Sequence, residues 1–101
     1  MGDKTHWTRA YNWASGQVVS YTATDADSAA LAEGEYCLSS TTDCWITMAA
    51  APTAAAAAGS LFMSAGSLFH IIVTPAQAAA SFKISAVRDA SDGKLSIMPV
   101  L

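Results

Sequence analysis

The chain has 101 residues, of which 52% are apolar and 13% charged, and a formal net charge of −3. That length points to one domain, and the thin, slightly acidic charge leaves no basic face to hold a phosphate backbone, so nucleic-acid binding is not expected. Alanine supplies 22 of the apolar residues, so few large side chains remain for a core, and stability is expected to be marginal without an oligomer or larger assembly. Ordinary soluble domains carry roughly 25% charged residues; with about half of that, the water-facing surface must be largely Ser, Thr and Ala, which suits contact with other protein.

The first residues hold Asp3, His6 and Arg9 with no apolar stretch between them, unlike a secretory signal. Gly2 follows Met1, but His6 stands where a myristoylation site needs Ser or Thr. Within residues 1–16, Trp7, Arg9, Tyr11 and Trp13 fall at every second position. An extended chain would project three aromatics and an arginine from one face. Two uses fit this arm: an edge strand whose aromatics cap the domain, or a docking arm laid on a partner, since Trp, Tyr and Arg dominate interface hot spots.

Residues 17–101 read as one domain of short strands. Residues 17–24 (QVVSYTAT) are β-branched and aromatic, and Asp25-Ala26-Asp27 ends them with a turn signal. Residues 27–33 (DSAALAE) offer a single turn or the approach to a strand, stopped by Gly34. In residues 35–40 Tyr36 and Leu38 alternate with smaller residues. In residues 43–49 Cys44, Ile46 and Met48 alternate with Trp45 and Thr47, and together the two runs read as a hairpin around residues 40–43. Ala54 to Ala58 is too short to nucleate a helix between Pro52 and Gly59 and is read as a loop. Residues 61–63 and 68–74 flank a tight turn at residues 65–67. Residues 82–88 and 94–98 flank a segment ending in Asp92-Gly93, a hairpin signal. Turns spaced by eight to twelve residues are the pattern of an antiparallel sandwich or barrel.

The weakly polar stretch 46–63 is broken by Pro52, Thr53, Gly59 and Ser60, so no membrane span is expected. Cys37 and Cys44 fit no zinc spacing. A four-residue hairpin loop would let them bond and a two-residue loop would not, and we expect reduced thiols because nothing in the sequence marks an oxidising compartment. His70 shares a strand face with Leu68 and Ile72, which fits a hydrogen-bonded structural histidine better than a general base. No serine sits in a nucleophile elbow. The acids Asp25, Asp27, Glu33 and Glu35 lack the spacing of a calcium loop. No catalytic, cofactor or metal site is expected.

The runs Gly34-Glu35-Tyr36-Cys37-Leu38, Cys44-Trp45-Ile46, Pro52-Thr53-Ala54, Leu61-Phe62-Met63-Ser64-Ala65-Gly66, Ile84-Ser85-Ala86-Val87 and Gly93-Lys94-Leu95-Ser96-Ile97 together resemble the small capsid decoration, or cement, proteins of tailed bacteriophages. The chain departs from that pattern in having Ser64 where proline is common and an alanine-rich insert at residues 54–58. The resemblance implies an all-β, jelly-roll-like antiparallel sandwich. It implies a virion protein, made in the host cytoplasm, that sits on the capsid surface and bridges major capsid subunits as a homo-oligomer, a dimer or trimer, without catalysis. Trp7, Arg9, Tyr11 and Trp13 are then the expected partner contacts. Two other uses suit the same residues: a carbohydrate-binding or adhesion module stacking sugars on Trp45 or the arm tryptophans, and another small virion part at the neck or tail.

Overall fold

The computed structural model describes residues 10–101. Eight strands form: β1 (Gln17–Tyr21), β2 (Ala26–Asp27), β3 (Gly34–Ser40), β4 (Cys44–Ala49), β5 (Leu61–Met63), β6 (Phe69–Val73), β7 (Lys83–Arg88) and β8 (Gly93–Pro99), with one short helix, α1 (Pro75–Ala79). All pairs are antiparallel, in two four-stranded sheets ordered β1-β8-β3-β6 and β2-β7-β4-β5. The pairing is nested: within those sheets β1 lies beside β8, β2 beside β7, β3 beside β6 and β4 beside β5. This is the jelly-roll order, a long double strand rolled into a sandwich.

Alternation along each strand decides what lies between the sheets. From the first sheet Val19, Tyr21, Tyr36, Leu38, Val73, Leu95 and Ile97 point inward, and from the second Cys44, Ile46, Met63, Ile84 and Ala86 meet them. Leu31 joins this core from the crossing between β2 and β3, where residues 28–31 run beside β7 through Ser28 N–H to the Ile84 carbonyl (2.8 Å) and Leu31 N–H to the Phe82 carbonyl (2.9 Å).

The three local hairpins expected from the sequence are replaced by arches. β3 and β4, β5 and β6, and β7 and β8 each follow one another in the chain yet belong to opposite sheets. The physical reason is that alternation marks the inward face of a strand and says nothing about its neighbour. Leu38 and Ile46 both point inward, from opposite sides of the core. Gly93 is not a turn glycine either. It opposes Tyr21 in the ladder, and a Cβ there would lie 2.6 Å from the Tyr21 hydroxyl and 2.8 Å from Thr41 Oγ1, and would collide with Thr42 Oγ1. The glycine makes room for a hydroxyl cluster: Tyr21 O–H donates to the Thr42 carbonyl (2.8 Å), Thr42 O–H to the Ser91 carbonyl (3.0 Å), and Lys94 N–H to Thr41 Oγ1 (2.9 Å).

Only β4 and β5 are consecutive neighbours, and residues 50–60 join them. As expected the alanines there form a loop. It lies on the outer face of β4 and β7, held by Ala54 N–H to Ser85 Oγ (3.1 Å) and by Thr47 O–H to the Gly59 carbonyl (2.9 Å), with Pro52 and Ala54 buried beneath. The expected turn at Asp25 to Asp27 instead contains β2, because Ala26 packs on the core and pairs with Ala86. Helix α1, which the strand-dominated reading passed over, begins with a capping box: Thr74 Oγ1 accepts from Gln77 N–H (3.2 Å), and Gln77 Oε1 accepts from Thr74 N–H (3.0 Å). It ends with Ser81 at φ 59°, in a Schellman turn closed by Ser81 N–H to the Ala78 carbonyl (3.0 Å) and Phe82 N–H to the Gln77 carbonyl (3.1 Å).

Candidate functional site

Of the four residues expected at a partner interface, Trp7 and Arg9 lie outside the described residues. Tyr11 and Trp13 lie together, their rings edge to face with centroids 5.5 Å apart and planes at 63°. The segment carrying them runs beside the end of β8: Tyr11 bridges Val100, Asn12 N–H donates to the Pro99 carbonyl (2.9 Å), and Leu101 N–H donates to the Ala10 carbonyl (2.7 Å). The expected extended arm is interrupted at Trp13–Ser15, one 3₁₀ turn, so the every-second-residue projection stops there. The turn brings Gly16 against the Met98 thioether, where a Cβ would lie 2.9 Å from Cε. Trp13 stays 73% exposed.

Beside this pair spreads the outer face of the β1-β8-β3-β6 sheet. Strand register places Val18 and Ser20 of β1, Lys94, Ser96 and Met98 of β8, Glu35, Cys37 and Ser39 of β3, and His70 and Ile72 of β6 on it. Its charges, Lys94 and Glu35, stand at opposite ends. Val18 is 65% exposed and Ile72 67%, although each has an inward neighbour that is buried. An outer face this sparsely charged, with Val18, Met98 and Ile72 among serines, is suited to a protein partner.

A second feature is an apolar cleft of about 430 Å³ between the sheets, lined chiefly by Leu38, Ile46, Met48, Leu61, Ile71 and Ile84. It opens on the side where β5 and β6 are the edges, because β5 is only three residues long. Leu61 stands at its mouth, 53% exposed. The sequence reading did not locate this cleft, since it paired β5 with β6 instead of placing them in facing sheets.

Polar groups inside the sandwich are few. Cys44, in the core, and Cys37, on the outer face, are free and buried in different sheets. Burial pushes the Cys44 thiol above its ordinary value of 9.0, the hydroxyls of Ser40 and Tyr21 oppose this, and Asp43 adds to it. Ser40 Oγ is buried with no hydrogen-bond partner of good geometry and lies beside that sulfur. Burial likewise raises the Tyr36 phenol, opposed by its hydrogen bond to the Ala32 carbonyl (2.7 Å). His70, expected as a hydrogen-bonded structural residue, shares its face with Ile72 as foreseen but is exposed, because that face looks to solvent. Trp45 is half-buried, edge to face with Phe62 (5.2 Å, 62°), and its indole N–H donates to Asp89 Oδ1 (3.1 Å). Among the described residues no three His, Cys, Asp or Glu side chains gather where they could hold a metal ion. No helix among them is long and apolar enough to cross a membrane.

Compared with known proteins, the chain matches no family model, no curated protein and no solved structure.

Proposed function

We propose that the chain is a non-enzymatic structural protein of a tailed-phage virion, which decorates the outside of an icosahedral capsid and stabilises it by bridging major capsid subunits. The observation that carries this reading is exposed Trp13, packed on half-buried Tyr11, beside a sheet face with one charge at each end. The jelly-roll order agrees with it, since viral capsid domains are among the proteins that use this architecture. Many copies on one shell gain from multivalency, so each contact can be modest. Trp13 anchors the contact and Tyr11 orients it, and Trp7 and Arg9 are further partner contacts in this reading.

The test is density-gradient sedimentation of particles from the native source, with mass spectrometry counting this chain against the major capsid protein. Near-stoichiometric copies in the particle band support decoration, and Trp13→Ala then lowers occupancy. A handful of copies per particle moves the assignment to the neck or tail. A chain found only in the soluble fraction overturns the reading and favours a carbohydrate-binding module, to be tested by tryptophan quenching with host polysaccharides.

A further inference from the structure

The open side of the sandwich carries an edge strand that nothing in the fold protects. β6 pairs with β3 on one side. The phase of that ladder follows from β3's other side, where Glu35 accepts from Val100 N–H (2.8 Å) and Thr41 N–H donates to the Lys94 carbonyl (3.0 Å). Odd-numbered residues of β3 therefore bond toward β8, and Tyr36 and Leu38 bond toward β6 at Ile71 and Phe69. His70 and Ile72 are left with their N–H and C=O groups at the open edge, and Leu68 immediately precedes the strand.

Sheets usually guard such an edge with charge, proline or brevity. The other edges are flanked, charged or short. β1 is flanked at its two ends, by Ala29 N–H on Gln17 Oε1 (2.9 Å) and Arg88 N–H on the Thr22 carbonyl (2.9 Å). β2 is two residues long between Asp25 and Ser28 and contains Asp27, and β5 is three residues long. Across residues 60–74 there is no Asp, Glu, Lys or Arg. On the outer face Leu68 (66% exposed) and Ile72 flank His70.

We propose that β6 is a self-pairing edge, to which a second copy of this chain adds its own β6 antiparallel about a two-fold axis at His70. The occupant is a second copy because a two-fold interface must be self-complementary, and an uncharged strand can face itself without repulsion. The register is set by two features. Centring on His70 places Leu68 of each copy opposite Ile72 of the other, giving two apolar cross-strand pairs. Centring one residue further on would pair His70 with Ile72 and leave Leu68 opposite Thr74, whose N–H and C=O are already used by Gln77 Oε1 and Ala78 N–H in the α1 cap, so both apolar pairs would be lost. The pairing joins two four-stranded sheets into one of eight and brings the two β5 edges together, so that each copy covers the mouth of the other's cleft. It does not depend on the proposed virion role.

The test is analytical ultracentrifugation of the full chain from micromolar to near-millimolar concentration, with amide hydrogen exchange followed over the same range. The expected result is a monomer–dimer equilibrium in which the amides of Leu68, His70 and Ile72 exchange freely when dilute and become protected when concentrated. Ile72→Lys, at an exposed site that leaves circular dichroism unchanged, weakens association by about tenfold or more. Ile72→Val, which keeps the apolar pair, does not. A chain that stays monomeric throughout overturns the proposal. So does a dimer that leaves these amides unprotected, or protection that arises only when capsid shells are added.

Discussion

Replacing Gly93 by alanine tests whether the hydroxyl cluster at the head of β8 is what requires glycine. The added methyl would sit 2.6 Å from the Tyr21 hydroxyl and 2.8 Å from Thr41 Oγ1. These are attached to strands or to the short β3–β4 arch, so they cannot swing away without losing bonds. Displacing Tyr21 and Thr42 sacrifices about two hydrogen bonds at about 1 kcal/mol each, and crowding adds about 1–3 kcal/mol. The lower entropy of the unfolded alanine chain returns about 0.5–1 kcal/mol. The net expectation is a loss of about 3 kcal/mol, which lowers the urea midpoint by about 2 M at a slope of about 1.5 kcal/mol per molar. Equilibrium urea unfolding reads this directly, and the slope should not change. Tyr21→Phe removes one colliding oxygen, so in that background the alanine should cost about 1 kcal/mol less. If Gly93→Ala is as stable as the parent, the close-approach reasoning fails and Gly93 is tolerated for some other cause.

Three further outcomes are expected. Ser81→Gly should stabilise the fold by about 0.5–1 kcal/mol, because Ser81 sits at φ 59° at the end of α1; a thermal melt no higher than the parent's would contradict this. Raising the pH above 9.0 should weaken the fold: burial keeps the Cys44 thiol protonated while the unfolded chain releases that proton, so stability is intact below 9.0 and falls by up to about 1.4 kcal/mol per pH unit above it. In Cys44→Ala the alkaline loss should begin only near 10.0, where Tyr36 acts in the same way, and identical pH profiles for the two proteins would refute the assignment. Leu95→Ala, at a fully buried position in the central strand β8, should cost about 2–5 kcal/mol by chemical denaturation, whereas Trp13→Ala should change stability by less than about 0.5 kcal/mol.

How far the sequence could be read depended on whether a feature was local. Every strand but β2, which lies in the expected turn at residues 25–27, shows as a local run, as in the alternation of Tyr36 and Leu38 or Cys44, Ile46 and Met48, because the side-chain period of a strand is set within it. Pairing was not legible. Asp92-Gly93 looks the same whether the chain turns back beside itself or arches over to the facing sheet, and nothing local separates a turn glycine from one whose role, like that of Gly93, is steric. The Thr74-Pro75-Ala76-Gln77 capping signal was present and was passed over because the surrounding pattern was β. At the candidate site, the weight given to Tyr11 and Trp13 came from residue type and spacing, and the structure brings the two rings together. The cleft and the unguarded β6 edge depend on which strand ends up outermost, a property of the assembled sheets that no stretch of sequence contains by itself.

Nested pairing also has a consequence for synthesis. β8 is the last strand made, yet it lies between β1 and β3 and joins them, pairing Gln17 with Ile97 and Leu38 with Ile97 on its two sides. Until β8 leaves the ribosome, β1 has no neighbour in its sheet and β3 is paired on one side only, by β6. Closure over so long a stretch of chain is slow, and in the interval the apolar strands are open to capture by other nascent chains. The sandwich should therefore close only once β8 has left the ribosome, late and all at once, and its yield in cells should depend on chaperone supply and temperature more steeply than its final stability suggests.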